Sequence, residues 1–222
     1  MKLDYINYTI TMENLKENKI KQDKTYTNEI MIAIIPPLSS WEQYIKIKSN
    51  HFKPSLANKG RCPFPHITLA QSRHIQIPVK TIVEKLSIKM VSKIPFILNL
   101  ANVEMFKYKK NTVLYVDVSG DKLKLSNLYQ SVCQCGFKTS SDWTPHIGIG
   151  SVLNSQALSL VSKYQQQLCP IAFTVTHLYI LQRGSTGPWE VTNLVPIGKT
   201  EKTVSDIVVG SLMDYNTLSG IV

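Results

Sequence analysis

Two histidines stand in near-identical surroundings: His66 opens Pro-His-Ile-Thr-Leu-Ala at residues 65–70, and His146 opens Pro-His-Ile-Gly-Ile-Gly at residues 145–150. Side chains alternate faces along an extended strand. His66, Thr68 and Ala70 therefore share one side, with Ile67 and Leu69 on the other; His146, Gly148 and Gly150 likewise oppose Ile147 and Ile149. The isoleucines belong in a core, which leaves each imidazole projecting from a rigid strand. An unperturbed imidazole titrates near pH ~6.5, so at neutral pH one can take a proton while the other gives one. Such a pair suits cleavage of a phosphodiester joined to a ribose. One imidazole deprotonates a neighbouring hydroxyl as it attacks phosphorus, and the other protonates the departing oxygen. The Thr68 hydroxyl can donate to a non-bridging phosphate oxygen that gains charge in the transition state. Neither step requires a metal, and no cofactor is expected. The other histidines, His51, His74 and His177, lack the repeated setting and have no zinc-site spacing.

Two equivalent strands imply a repeated frame, and the hydrophobic pattern supplies one. Ile30 to Ile35 reads as a buried strand stopped by Pro36-Pro37. A helix follows, capped by Ser39 or Ser40 and carrying Trp41, Tyr44, Ile45 and Ile47 or Lys48; Asn50 and Pro54 end it. After a loop with Asn58-Lys59-Gly60 comes the first histidine strand, then a helix over Val79 to Lys93 and a β-rich segment from Ile94 to Phe106. The order recurs as a strand over Thr112 to Val118, a helix from Lys122 to Cys135 ending at Gly136, and the second histidine strand from Pro145 to Val152. Next come a helix capped by Asn154 and running to Leu168, and a strand over Ile171 to Leu181. The histidines lie 80 residues apart (146 − 66), and Ile-Pro-Phe-Ile-Leu-Asn-Leu matches Ile-Ala-Phe-Thr-Val-Thr-His. Repeats over about 30–106 and 112–197 thus predict an α+β fold of two βαβ-type lobes, with the site in the cleft between them. Residues 1–28 form an N-terminal extension and 199–222 a tail, in which Val204 to Leu218 could hold a short helix.

These segments, with the closing Leu-Tyr-Ile-Leu-Gln-Arg…Gly-Pro-Trp-Glu-Val-Thr-Asn-Leu-Val-Pro-Ile-Gly, resemble the LigT-like 2H phosphoesterases over roughly Ile30 to Gly198. That family's signature is a duplicated His-x-Thr/Ser. The resemblance implies His66 and His146 as the acid/base pair and Thr68 as a phosphate ligand. Gly148 departs from the signature, since it stands where the second hydroxyl would be. A main-chain N–H near Gly148, or Ser151 or Thr144, could replace that donor, or the space could admit a larger substrate. The resemblance further implies a nucleotide or oligonucleotide substrate. The candidates are 2′,5′-linked oligoadenylates, cyclic dinucleotides such as 2′,3′-cGAMP, terminal 2′,3′-cyclic phosphates and RNA 3′ ends. The closing segment favours the branch of cellular and viral 2′,5′-phosphodiesterases, whose action would blunt antiviral nucleotide signalling. An RNA-end processing enzyme and a non-catalytic nucleotide- or RNA-binding module are the alternatives.

Arg183 and Trp189 flank the turn from Gly184 to Pro188. There the arginine could bind phosphate and the tryptophan stack on a base, or both could be structural. Phe64, Tyr108 and Trp143 are further aromatic candidates, each read first as packing. A formal charge of +10, from 25 basic against 15 acidic residues, favours polyanionic partners, although with only three arginines it also fits simple compositional bias. At 43% hydrophobic the chain can bury a sizeable core. No run of about 18 apolar residues could span a bilayer. The polar N-terminus is unlike a secretory signal. A monomeric cytoplasmic protein without a membrane partner is expected, its cysteines Cys62, Cys133, Cys135 and Cys169 free and mostly buried.

Overall fold

In the computed structural model the alternation around the histidines becomes two neighbouring strands of one sheet. Residues 29–51, 62, 64–73, 77–184 and 187–199 are described. The expected N-terminal extension and nearly all of the expected tail, with its helix at Val204 to Leu218, lie outside them, as does His74. The chain runs β1 (Glu29–Ile34), α1 (Trp41–His51), β2 (Ile67–Ser72), α2 (Val79–Met90), β3 (Phe96–Lys107), β4 (Asn111–Gly120), α3 (Lys122–Cys133), β5 (His146–Leu153), α4 (Ala157–Gln167), β6 (Ile171–Val175), β7 (His177–Arg183) and β8 (Glu190–Pro196). These strands form an eight-stranded sheet in the order β6-β3-β4-β5-β2-β1-β7-β8, and every pairing among them is antiparallel.

With β1, β2, β7 and β8 as the counterparts of β4, β5, β3 and β6, that order is a palindrome about the β5–β2 junction; it sets β3 opposite β7 and not the sequence-matched β6, and so exchanges strands between the sequence repeats. β3 follows the first histidine strand in sequence, yet it pairs with β4 and with β6 on the second histidine's side. β7 crosses the other way to pair with β1. The expected continuous strand from Ile171 to Leu181 breaks at Thr176, because its two halves serve opposite ends of the sheet. The helices interlock similarly: α1, which follows β1, packs against β5, and α3, which follows β4, packs against β2.

Helices α1 to α4 bury their apolar stripes against one face of the sheet. Tyr44 and Ile47 from α1, Ile82 and Leu86 from α2, Leu128 from α3 and Tyr164 from α4 join Ile32, Ile67, Leu114 and Ile147 in one cluster. Burying each aliphatic side chain there contributes about 1.5–3 kcal/mol relative to leaving it in water. The opposite face carries the histidines. Two expected helix caps give way to other contacts. Ser40 sits in a short 3-10 turn, Leu38–Ser40, and its hydroxyl donates back to the Pro37 carbonyl at 2.7 Å. The Asn154 side chain accepts from Thr112 Oγ1 at 2.8 Å and donates to the Tyr108 carbonyl at 3.1 Å, tying down the β3–β4 hairpin instead of capping α4. Gly136 ends α3 as expected. Its φ of +114° is open to glycine, and an added Cβ would lie 2.7 Å from Ile77 Cδ1.

Cys62, Cys133 and Cys135 are buried and Cys169 is exposed, none of them in a disulfide. Burial pushes the Cys133 and Cys135 thiols up, away from the reactive thiolate. His177 is half-buried, its Nδ1 2.9 Å from the Thr176 hydroxyl, and burial holds its imidazole below the ordinary 6.5. The folded state thus binds this proton less readily than the unfolded chain. The resulting stability is complete above the unfolded pKa and is lost as pH falls through the folded one. Thermal melts across pH 7.5 to 5 are expected to show a shallower acid decline in Tm for His177→Gln than for the wild type; identical slopes would remove His177 from the acid sensitivity.

Candidate active site

The two histidine strands meet at one pair, Ile67 opposite Ile147. Both isoleucines point into the core, at 0% and 1% exposure, so the residues on either side of them project from the other face. Carrying the antiparallel register one residue each way sets His66 across from Gly148 and Thr68 across from His146. The four positions form a rectangle, with histidines on one diagonal and Thr68 and Gly148 on the other. Diagonal neighbours on one face of an antiparallel pair lie about 7–8 Å apart at Cα, a span that leaves room for a phosphate between two imidazoles.

The imidazoles are held alike. His66 Nδ1 donates to the Phe64 carbonyl at 3.0 Å, and His146 Nδ1 donates to the Thr144 carbonyl at 2.8 Å, each two residues back across a proline. A carbonyl only accepts, so Nδ1 carries a proton in both rings and proton exchange with a substrate falls to Nε2. Thr68 projects from the same face, its hydroxyl directed at Met31 Sδ at 3.4 Å. Sulfur is a weak acceptor, so that hydroxyl can turn to a phosphate oxygen at small cost. At Gly148 a Cβ would meet nothing within 4 Å, and its φ lies outside the range where side chains are strained. The glycine therefore leaves open space diagonally across from Thr68.

A sequence profile of the 2′-5′ RNA ligase superfamily matches residues 36–187. The chain belongs to this superfamily, the 2H phosphoesterases. Solved structures bear out its fold. Apo Escherichia coli LigT is 16% identical with a TM-score of 0.51, covering 79% of this chain and 100% of LigT. LigT complexed with phosphate superposes with a TM-score of 0.53 at 16% identity, over 79% and 100% of the two chains. A Thermus thermophilus protein, TT0787, gives 0.53 at 12% identity, over 78% of this chain and 100% of that one. No curated protein matches the sequence at a comparable level of significance.

Around the paired histidines the phosphoesterase differs in several places from what its motifs imply. Arg183 pairs with Glu29 in the β1–β7 register, while Ile34 at the other end of β1 pairs with Ile67 beside His66. Five residues of strand separate those ends, about 17 Å. Arg183 Nη2 lies 2.7 Å from Glu29 Oε2, and its guanidinium sits 4.8 Å from the centroid of Trp189. Trp189 is 5% exposed, in a small cluster with Met31, Ala33, Cys62 and Leu181. The structure thus assembles Arg183 and Trp189 with each other, Arg183 at the end of β1 away from the histidines and Trp189 against Met31 and Ala33 on the histidine face. Ser151 behaves otherwise. Strict alternation from His146 would turn it to the core face, but the register shifts between Leu114 and Tyr115, so that Tyr115 pairs with Gly148 and Val113 with Ser151. This bulge returns Ser151 to the histidine face, two rungs beyond Gly148.

Sequence reading missed Phe106 and Tyr115. Their rings stack with centroids 4.1 Å apart, and His146 meets both edge-on at 5.3 and 5.4 Å. The alternation in β3 and β4 holds a signal for them, yet only the pairing of those strands places both beside His146. Trp143 proves structural. It stacks on Tyr129 at 4.1 Å and donates from Nε1 to the Thr68 carbonyl at 3.0 Å, pinning the second histidine segment to the first. Phe64 stacks on Trp41 at 5.4 Å, and Tyr108 is exposed at the β3–β4 turn. Trp143→Phe keeps the stack and deletes the hydrogen bond. Urea unfolding is expected to show a loss of about 1 kcal/mol; an unchanged midpoint would deny the tether any role in stability. Among the described residues no three His, Cys, Asp or Glu side chains gather as a metal site would require, and no helix is long and apolar enough to cross a membrane.

Proposed function

We propose that this 2H phosphoesterase is a metal-independent phosphodiesterase for 2′,5′-linked nucleotides of the oligoadenylate or 2′,3′-cGAMP type, with His66 and His146 as its acid/base pair. The observation that carries this reading is the diagonal placement of two imidazoles held identically through Nδ1, so that both Nε2 atoms serve one face. In a 2′,5′ linkage the free 3′-hydroxyl lies beside the phosphate. One histidine takes its proton as the oxygen attacks phosphorus. The other protonates the 5′-oxygen as its bond to phosphorus breaks, leaving a 2′,3′-cyclic phosphate and a 5′-hydroxyl. Charge growing on the non-bridging oxygens is met by the Thr68 hydroxyl and by whatever donor reaches the Gly148 corner. Because the rectangle is near-symmetric about Ile67 and Ile147, substrate orientation decides which histidine is the acid.

The superfamily's 2′-5′ designation supports the linkage. Structures of Escherichia coli LigT with 3′-AMP and with ATP support a nucleotide-sized ligand on this fold. In a cell making 2′,5′-linked messengers, such turnover would silence antiviral signalling. The test is a chromatographic panel in EDTA at neutral pH: 2′,5′-oligoadenylate, 2′,3′-cGAMP, their all-3′,5′ counterparts and an RNA ending in a 2′,3′-cyclic phosphate. Selective cleavage of the 2′,5′ bonds is expected. Preference for the RNA end would replace this reading with end processing, and no turnover of any substrate would leave a binding module.

A further inference from the structure

The two halves of the histidine face are related by the palindromic strand order, but their surfaces differ. On the His66 side, Met31, Ala33, Cys62, Leu181 and Trp189 are buried, and Phe64, Tyr179 and Val191 pack against them partly exposed, with the Phe64 ring already stacked on Trp41. On the His146 side the corresponding strands β4 and β3 leave Glu104 exposed and Phe106, Val113 and Asp117 partly exposed. Among the described residues of this half, the large flat apolar surface is the ring pair, with planes 18° apart and Tyr115 underneath at 8% exposure. Phe106 is the accessible member. Both rings touch His146, so a ligand seated on Phe106 is already beside one end of the histidine diagonal.

From this asymmetry we infer that Phe106, backed by Tyr115, is a stacking platform for the nucleobase of the substrate, which lies across β3 and β4 on the His146 side of the reacting phosphate. The inference rests on the phosphodiesterase reading for its substrate, but not for its test. Aromatic rings take up any base through its π face. The local charge agrees with a base at this place. Glu104 pairs with Tyr115 in the sheet register and Asp117 pairs with His146. Both carboxylates add to the burial that pushes the Tyr115 phenol up. The two carboxylates bordering the shelf can accept hydrogen bonds from a base's amino group.

The experiment is calorimetric titration of the full chain in EDTA with two probes, adenosine 2′-monophosphate and inorganic phosphate, for the wild type, Phe106→Ala, Phe106→Leu and Phe106→Tyr. The wild type is expected to bind the nucleotide more tightly than phosphate. Phe106→Ala and Phe106→Leu should weaken nucleotide binding by about tenfold or more, leave phosphate binding within about twofold, and Phe106→Tyr should retain both. The leucine variant keeps apolar bulk against Tyr115, so it guards against a fold defect in the alanine variant. Equal weakening for both probes, no weakening, or a wild type that fails to prefer the nucleotide would overturn the platform. Absence of cleavage on the substrate panel would instead count against the phosphodiesterase reading and leave these affinities interpretable.

Discussion

His66→Ala and His146→Ala are each expected to lower the rate of metal-free 2′,5′ cleavage by about 10²- to 10⁴-fold, the usual worth of a positioned proton donor or acceptor. The two imidazoles serve one transition state. The double variant should therefore fall little below the poorer single one, as groups acting as a unit do. Loss of fold is separable from loss of chemistry. Each alanine removes one hydrogen bond to a carbonyl, at 3.0 Å for His66 and 2.8 Å for His146, which costs about 1 kcal/mol. Asparagine offers the better control, because its amide can reproduce the Nδ1–H contact to Phe64 or Thr144 while moving no proton. His66→Asn and His146→Asn should thus keep the wild-type melting temperature and share the alanine variants' loss. An asparagine variant retaining more than about a tenth of the wild-type rate would remove that histidine from proton transfer.

The part of this site legible in the sequence is the part fixed by local alternation. Ile67 and Ile147 declare the core face, so His66, Thr68, His146 and Gly148 had to share the other, and the palindrome of strands sets them at one junction. What depends on long-range pairing was not legible. A sequence repeat gives no direction to the exchange that sends β3 to the far half, so the neighbours of His146 could not be named. The Leu114/Tyr115 bulge adds one residue to β5 and reverses the facing of Ser151, which a period of two cannot foresee. Arg183 shows the same limit from the other side. A cation near a closing turn reads equally well as a phosphate ligand or as half of an ion pair, and only the register of β1 with β7 brings Glu29 to it. Asn154 and Ser40 carry side chains that suit a helix cap, but nearby carbonyls and a hydroxyl compete for them.

Gly148→Thr is expected to raise kcat on the preferred substrate by about tenfold or more while changing KM little. The corner it fills lies diagonally across from Thr68, and a threonine placed there would present its hydroxyl to the phosphate from the opposite side of the histidine diagonal. Nothing stands within 4 Å of the new Cβ and the backbone lies outside the left-handed region, so neither clash nor strain offsets the gain. A β-branched residue also suits a strand better than glycine does, and the variant should be no less stable than the wild type. Deleting one preorganised donor from a site of this kind costs about 10²–10³ in rate; restoring one should return part of that, less where the Gly148 main chain or Ser151 already makes the contact. Ser151→Ala distinguishes these cases. If Ser151 supplies the missing hydroxyl across the bulge, its removal should slow the wild type and have little effect in the Gly148→Thr background. A kcat that falls on Gly148→Thr would mean that the open corner holds substrate, and the glycine would then be a determinant of which nucleotide fits rather than a lost catalytic group.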